Sequence, residues 1–575
     1  PRYDLEKNYK TVLPLGPTLL LPNERQTCRG GVGSQAPHLE KHGVEEGVLA
    51  NGLRYFIGQT SKPSKRAALA LAVNVGSVFE TEEERGVAHL VEHLAFRATK
   101  TFETFEIVNF LESIGAAFGA CQNAYTSADE TVYELCVPID DNNNNTEGGF
   151  KSGSKDVLEE SLFVLSEFAR NVRISDADVD NERGAVLEEW RSGRDARGRA
   201  AQQYWESLCD GSLYAERSPI GAEEVIRYAP GQVFRDFYHK WYRPENMCVV
   251  VTGDFEDVQG VREKIVRLFS NLSPAADLGS VPTFIRPKFP NHDVPRICCH
   301  VDHELSTTVV TATFKTEQIA VATPEDYFKK TVEECYKSCL DNRLYKIMRR
   351  PKPAFFSAGI VSEDLTRNCY LVSVQMTCES AKAKDALESV LTEITRARLH
   401  GFSEQELLIA KLTQTADMEA LWVERDQVYC TDARDELVQH FLRGDMVIGS
   451  GLEASLSIAC IEKVTLADVL EYAQTVSVSN SCMIRLQEGR KKTTEEDLRD
   501  ALSRVAQKEA NGEIEKTNDA FFVPERLMAE PQPMQEGETA FVNKRTWPIS
   551  DVYEVDLKNG MKVCLKSTNF LDDQI

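Results

Sequence analysis

The chain has 575 residues, 42% hydrophobic and 27% charged, with a formal net charge of −24 at pH 7. That length exceeds what one hydrophobic core organises and predicts several domains. The acidic balance argues against nucleic acid and anionic membrane as partners, since both would repel it, and no run reaches the roughly 18 apolar residues of a membrane span.

Residues 1–44 are turn-rich and read as an irregular extension. The chain starts at Pro1, so the lack of a leader carries no information. A strand pair is expected at LANGLRYFI (49–57) and ALALAVNVG (68–76), joined by a polar loop. A helix follows over GVAHLVEHLAFR (86–97), and a second around Glu106–Ile114. CQNAYT (121–126) and TVYELCVP (131–138) predict a hairpin. The low-complexity DDNNNNTEGGFKSGSK (140–155) predicts a mobile surface insertion. Helical patterns over 156–210 and 230–241 precede the strand MCVVVTGDF (247–255), closing a first domain over 45–275.

A linker (276–290) leads to a second domain over 291–510, with strands at 297–315 and 369–378 and a closing strand CMIRL (482–486). IRYAPGQVFRDFYHKWYRPENMCVVV (226–251) and IEKVTLADVLEYAQTVSVSNSCMIRL (461–486) share one grammar of turn, amphipathic helix and strand. That repeat, about 230 residues long, suits a duplicated domain. Residues 511–549, rich in Pro, Glu and Gln, read as a hinge. VDLKNGMKVCL (555–565) then echoes VLANGLRYFI (48–57), so 550–575 is expected to be the first strand of a truncated third domain in a longer polypeptide. The fifteen cysteines lack CxxC pairs and often sit in apolar runs, as Cys248 does, which predicts reduced, buried thiols in a reducing compartment.

Chemistry concentrates in the first helix. Val87, Leu90, Val91 and Leu94 make one apolar face, whereas His89 and His93, at i and i+4, can converge on one ion from another. Glu92 stands beside them. Neutral imidazoles suit Zn²⁺, and a neighbouring carboxylate can take a proton from water. The order H-x-x-E-H is the inverzincin signature. A third ligand has to come from elsewhere, and NERGAVLEEWR (181–191) offers Glu182 and Glu189 on one helix face, beside an apolar stripe of Val179, Val186 and Trp190.

HLVEH followed at a distance by E-R-x-x-V-L-x-E resembles the pitrilysin (M16) family of zinc metallopeptidases, over about residues 45–575. The likeness is closest to bacterial-type and plant two-half pitrilysins and stromal processing peptidase-like proteins. It implies an α+β fold: two homologous mixed α/β domains, each a mostly antiparallel sheet flanked by helices, the second non-catalytic. It further implies that His89, His93 and Glu189 hold Zn²⁺, that Glu92 is the general base and that Glu182 is an acid beside the site. The interval from His89 to Glu189 is longer than the family usually has, and the insertion at 140–155 accounts for the excess. QNAYT resembles the edge strand on which substrate backbone pairs, making Asn123, Ala124 and Tyr125 the substrate-binding candidates. YAERSPIG (214–221) and WYRPENMCVVVTGDF (241–255) look like further family landmarks.

The expected activity is zinc-dependent endopeptidase action on peptides or unfolded polypeptides, targeting peptides included. The alternative is a non-catalytic subunit of the same fold that binds peptides or serves assembly. Expected partners are extended peptides and the C-terminal half of the same longer chain, with no nucleic acid and no membrane span; plastid stroma and cytosol both fit. HVDHE (300–304) reads as strand, which would send His300 and His303 to opposite faces and prevent joint chelation.

Overall fold

The computed structural model describes residues 43–139, 151–152, 156–272, 284–517 and 541–568. Most of the Asn-rich insertion and most of the first linker lie outside the described residues.

The first domain opens with β1 (Val44–Val48) and β2 (Arg54–Gln59), an antiparallel hairpin. The single strand expected over 49–57 is therefore a turn and a strand. Asn51-Gly52 forces the turn, because Gly52 adopts φ +95°, which side chains rarely tolerate. The Asn51 amide anchors the turn by donating to the Phe269 carbonyl at 2.9 Å. There follow β3 (Arg66–Val73), α1 (Val87–Arg97), α2 (Glu106–Ser113), β4 (Gln122–Thr126) and β5 (Thr131–Pro138). Helices α3 (Val157–Arg170), α4 (Asp176–Ser192), α5 (Ala196–Cys209), α6 (Glu223–Tyr228) and α7 (Gly231–Trp241) precede β6 (Met247–Gly253) and α8 (Val258–Phe269).

The sheet order is β1-β2-β6-β3-β5-β4, with β6 parallel to β2 and every other pairing antiparallel. The strands expected to pair directly, β2 and β3, are thus separated by β6. All seven residues of β6 are buried, which explains its central place, where neighbours cover both edges and helices both faces.

The second domain comprises β7 (Arg296–Val301), β8 (Thr308–Glu317), α9 (Pro324–Met348), β9 (Ser357–Thr366) and β10 (Cys369–Cys378). It continues with α10 (Ala383–His400), α11 (Glu404–Val423), α12 (Cys430–Arg443), α13 (Gly449–Lys463), α14 (Leu466–Thr475), β11 (Cys482–Glu488) and α15 (Glu495–Ala510). Its order, β7-β11-β8-β10-β9, repeats the first sheet from β2 onward, again with the closing strand parallel to the opening one. β7 ends at Val301, so His303 is in a turn and not on a strand as expected. His300 Nδ1 meets Gln203 Oε1 at 2.6 Å, whereas the His303 side chain is 90% exposed.

Last come β12 (Phe541–Trp547), β13 (Val552–Leu557) and β14 (Lys562–Lys566), a three-stranded antiparallel sheet. Residues 541–547, read as hinge, are strand, and the tail echo is a hairpin rather than one strand. Its turn at Asn559-Gly560 (Gly560 φ +86°) repeats the device at Asn51-Gly52.

Each large domain lends a helix to the other's sheet. On the first sheet, alternate residues point to opposite faces. Leu69, Leu71, Tyr133, Leu135, Val249 and Val251 face the main core with α1. Phe56, Ala70, Ala72, Val132, Cys248 and Val250 face away and are covered by Leu437, Val438 and Leu442 of α12. The alanines of β3 leave room for the helix to approach. In return α5 lies on the second sheet, where Tyr204 Oη meets Thr313 Oγ1 at 2.5 Å and Lys315 Nζ donates to the Leu208 carbonyl at 2.9 Å.

Candidate metal centre

Helix α1 starts where two loops touch. Gly86, its N-cap, has φ +103°, and a Cβ on Gly221 would lie 2.2 Å from the Gly86 Cα, so only glycines permit the approach. Helix N-termini leave N–H groups without partners. Glu80 supplies them, accepting from the Gly86 and Ala88 N–H groups at 2.9 and 2.8 Å. Burial pushes the Glu80 carboxyl up to about 8, against the pull of those two donors. Sequence reading missed Glu80, because a carboxylate six residues before the helix N-cap leaves no periodic signal.

The apolar face of α1 is buried in the core as expected. On the other face the His89 and His93 rings lie 4.7 Å apart between centroids, edge to face. Glu189 on α4 meets both, its Oε2 lying 3.7 Å from His89 Nε2 and 3.5 Å from His93 Nε2. One ligand atom from each of the three lies within 4.8 Å of the others, the sole such His/Cys/Asp/Glu grouping found among the described residues. Two imidazoles and a carboxylate make a donor set that suits a divalent transition metal with open positions.

Glu182, seven residues before Glu189, accepts at 3.1 Å from His93 Nδ1. Its second oxygen takes Arg97 Nη1 at 3.2 Å, and Asp178 lies 3.7 Å from Arg97 Nε. This chain fixes the His93 ring with Nε2 turned toward Glu189. Glu92 is 8% exposed and is not a member of the ligand group. Thr126 Oγ1 donates to its Oε2 at 2.7 Å, a contact the sequence did not announce. Thr126 ends β4, the strand that carries Asn123, Ala124 and Tyr125. Among the described residues β5 is the one strand paired with β4, and beyond an isolated bridge from Gln122 to Phe118 its other edge is open; Asn123 and Tyr125 are exposed, and Ala124 is half-buried against the core.

Electrostatics divide the two histidines. Burial drives His89 down to about 4, with the neighbouring His93 adding to the effect. Burial also opposes charge on His93, but hydrogen bonds to Glu182 and Glu189 outweigh it and hold the ring up at about 10. Both glutamates are held below the usual carboxylate range, chiefly by His93. Burial raises Glu92, and the Thr126 hydroxyl partly offsets this. Without metal, therefore, the site carries its proton on His93.

A family model described as Insulinase (Peptidase family M16) matches residues 55–203, and one described as Peptidase M16 inactive domain matches 231–413. The chain belongs to peptidase family M16. All five motif residues fall in the first match. This M16 chain is 38% identical over 538 residues to an Arabidopsis thaliana protein named Zinc protease PQQL-like, covering 93% of the chain and 51% of that protein. It is 26% identical over 501 residues to the chloroplastic stromal processing peptidase of Oryza sativa subsp. japonica, covering 78% of the chain and 38% of the relative. The solved structure of the periplasmic protease PqqL from Escherichia coli superposes with a TM-score of 0.74 at 22% identity, over 93% of this chain and 56% of that one. The chain spans about half the length, or less, of the curated relatives it matches.

Proposed function

We propose that this chain carries the metal centre of a zinc-dependent endopeptidase acting on extended peptides or unfolded polypeptides. The observation that carries the reading is the meeting of His89, His93 and Glu189 within 4.8 Å, next to a buried carboxylate that is not a ligand. Relatives named as zinc proteases agree with it. His89, His93 and Glu189 would hold the zinc; when bound, it supplies Lewis-acid chemistry at the scissile carbonyl.

The chain's own residues do the rest. Glu92 is the general base: with Oε2 held by Thr126, the other oxygen takes the proton of the attacking water and passes it to the leaving amine nitrogen. Its raised pKa suits a group that must hold that proton between the two steps. Glu182 orients His93 through Nδ1 and keeps Nε2 free to ligate. The open edge of β4 takes the peptide main chain as an added strand, with Asn123, Ala124 and Tyr125 lining it. The hydrogen bond from Thr126 then ties that strand to the base. The C-terminal half of a longer chain completes the enclosure, and plastid stroma or cytosol is the compartment. Among the described residues no helix is long and apolar enough to cross a membrane.

The test is zinc per chain by elemental mass spectrometry, on the parent and on Glu189→Gln. About one zinc in the parent and under a tenth as much in the variant is expected, since an amide is a far weaker ligand than a carboxylate. No zinc in either after refilling would favour the non-catalytic, peptide-binding subunit.

A pH dependence follows from the protonation of the free site. His89 is neutral above about 4, whereas His93 keeps its proton to about 10. Metal uptake at pH 7 to 8 must therefore expel about one proton, and apparent affinity should rise about tenfold per pH unit there. Calorimetry in buffers of differing ionisation enthalpy measures this directly; zero release would mean that His93 is neutral in the free protein.

A further inference from the structure

The outer face of the first sheet holds thiols that the metal centre does not use. Cys136 on β5 and Cys430, the first residue of α12, pack with Ala68 in one buried cluster, and Cys121, just before β4, lies against it. Cys430 is fixed across the domain boundary on two sides. Its N–H donates to the Lys62 carbonyl at 2.7 Å, and its carbonyl accepts from Thr252 Oγ1 at 2.7 Å. Two guanidinium groups flank the cluster. Arg66 Nη1 lies 3.9 Å from Cys121 Sγ, and Arg434, one turn after Cys430, pairs with Glu134 of β5 at 3.3 Å.

Inert packing is the ordinary role of a buried cysteine. Cys209 and Cys482 fit it, each pushed by burial up to about 12. Cys136 moves the other way, to about 6, because the Cys430 thiol hydrogen-bonds to it and Arg66 and Arg434 add positive charge. The partners are unequally reachable: Cys430 is fully buried, Cys136 is 9% exposed, and Cys121 is half-buried. The three thiols do not form a metal-ligand grouping of the kind made by His89, His93 and Glu189.

We propose that Cys136 and Cys430 are an oxidative modification site, closing to an interdomain disulfide when a small peroxide reaches the cluster. The Cys136 thiolate attacks one oxygen of hydrogen peroxide, the O–O bond breaks, and Cys136 becomes a sulfenic acid while hydroxide leaves and is protonated to water. The Cys430 sulfur then attacks the Cys136 sulfur and loses its proton, and the displaced hydroxide takes that proton to give a second water. Two thiols are oxidised and one peroxide is reduced to two waters. The bond joins β5, the neighbour of β4, to the helix borrowed from the second domain, and makes covalent a contact otherwise held by apolar packing, two hydrogen bonds and an ion pair.

The experiment treats the fully reduced full chain with a slight excess of hydrogen peroxide, blocks remaining thiols, digests the product and maps cross-links by mass spectrometry. The expected first product is a Cys136–Cys430 peptide pair, with both thiols lost together and both regained on reduction. In Cys430→Ser the cross-link disappears and Cys136 is recovered as a dimedone-trapped sulfenic acid. Oxidation that modifies exposed Cys564 while Cys136 and Cys430 stay free would overturn the proposal, as would Cys136 linked to Cys121 instead. The parent chain alone decides between these outcomes, so a variant that folds poorly leaves the proposal falsifiable.

Discussion

Replacing Glu92 with Gln is expected to lower peptide hydrolysis by about 10²- to 10⁴-fold while zinc content stays unchanged. Gln keeps the size of the side chain, and its carbonyl oxygen can still accept from Thr126 Oγ1, so the packing of α1 against β4 survives. Glu92 is not among the three candidate ligand side chains, so metal retention should not depend on its charge. What the amide cannot do is take a proton from water. The measurement is kcat/KM on a quenched fluorescent peptide with the full-length protein, alongside zinc content of the same preparation. Unchanged hydrolysis at equal zinc would remove Glu92 as the base. Joint loss of zinc and activity would show instead that it helps to hold the site together.

Leu437→Asp, on the face of the first sheet opposite to α1, is expected to cost about 4 kcal/mol of stability or more. Leu437 is 1% exposed and packs from α12 onto the outer face of the first sheet, among Phe56, Ala70, Val132 and Val250. The substitution removes a buried aliphatic side chain and leaves a charge facing an apolar surface. Leu408→Asp on α11 is the control: that side chain is 49% exposed and should tolerate the change within about 0.5 kcal/mol. Chemical denaturation of both variants against the parent measures the difference. Equal effects would mean that α12 merely rests on the sheet.

The candidate metal centre was legible where its residues share a helix. His89, Glu92 and His93 declare themselves by spacing, and Glu182 and Glu189 by lying seven apart on one helix and by the family likeness. Glu80 and Thr126 were not legible. Glu80 reaches the start of α1 through two backbone N–H groups and Thr126 reaches it through the Glu92 carboxylate, in each case from outside the helix, and no sequence periodicity marks such contacts. Strand identity was clearer than strand order: MCVVV reads as buried strand, but nothing local says that it inserts between β2 and β3. The Asn51-Gly52 and Asn559-Gly560 pairs were seen as an echo and read as strand interior, although Asn-Gly is itself a strong turn signal. β9 was missed because SAGIVSEDLT is half-exposed and polar, with an edge place that asks little apolar character of it.

The exchange of helices between the domains also sets a timetable. Once β6 has been made, the first domain possesses every strand of its sheet, yet one face of that sheet has no cover. Cys430, at the start of the covering helix, comes 178 residues after Thr252 of β6. At roughly 5–20 residues per second, the ribosome needs about 9 to 36 s to deliver it. Throughout that interval Phe56, Val132 and Val250 present an apolar surface to the surrounding solution. The nascent chain thus carries an association-prone face for a period fixed by the order of its residues, however stable the finished protein becomes.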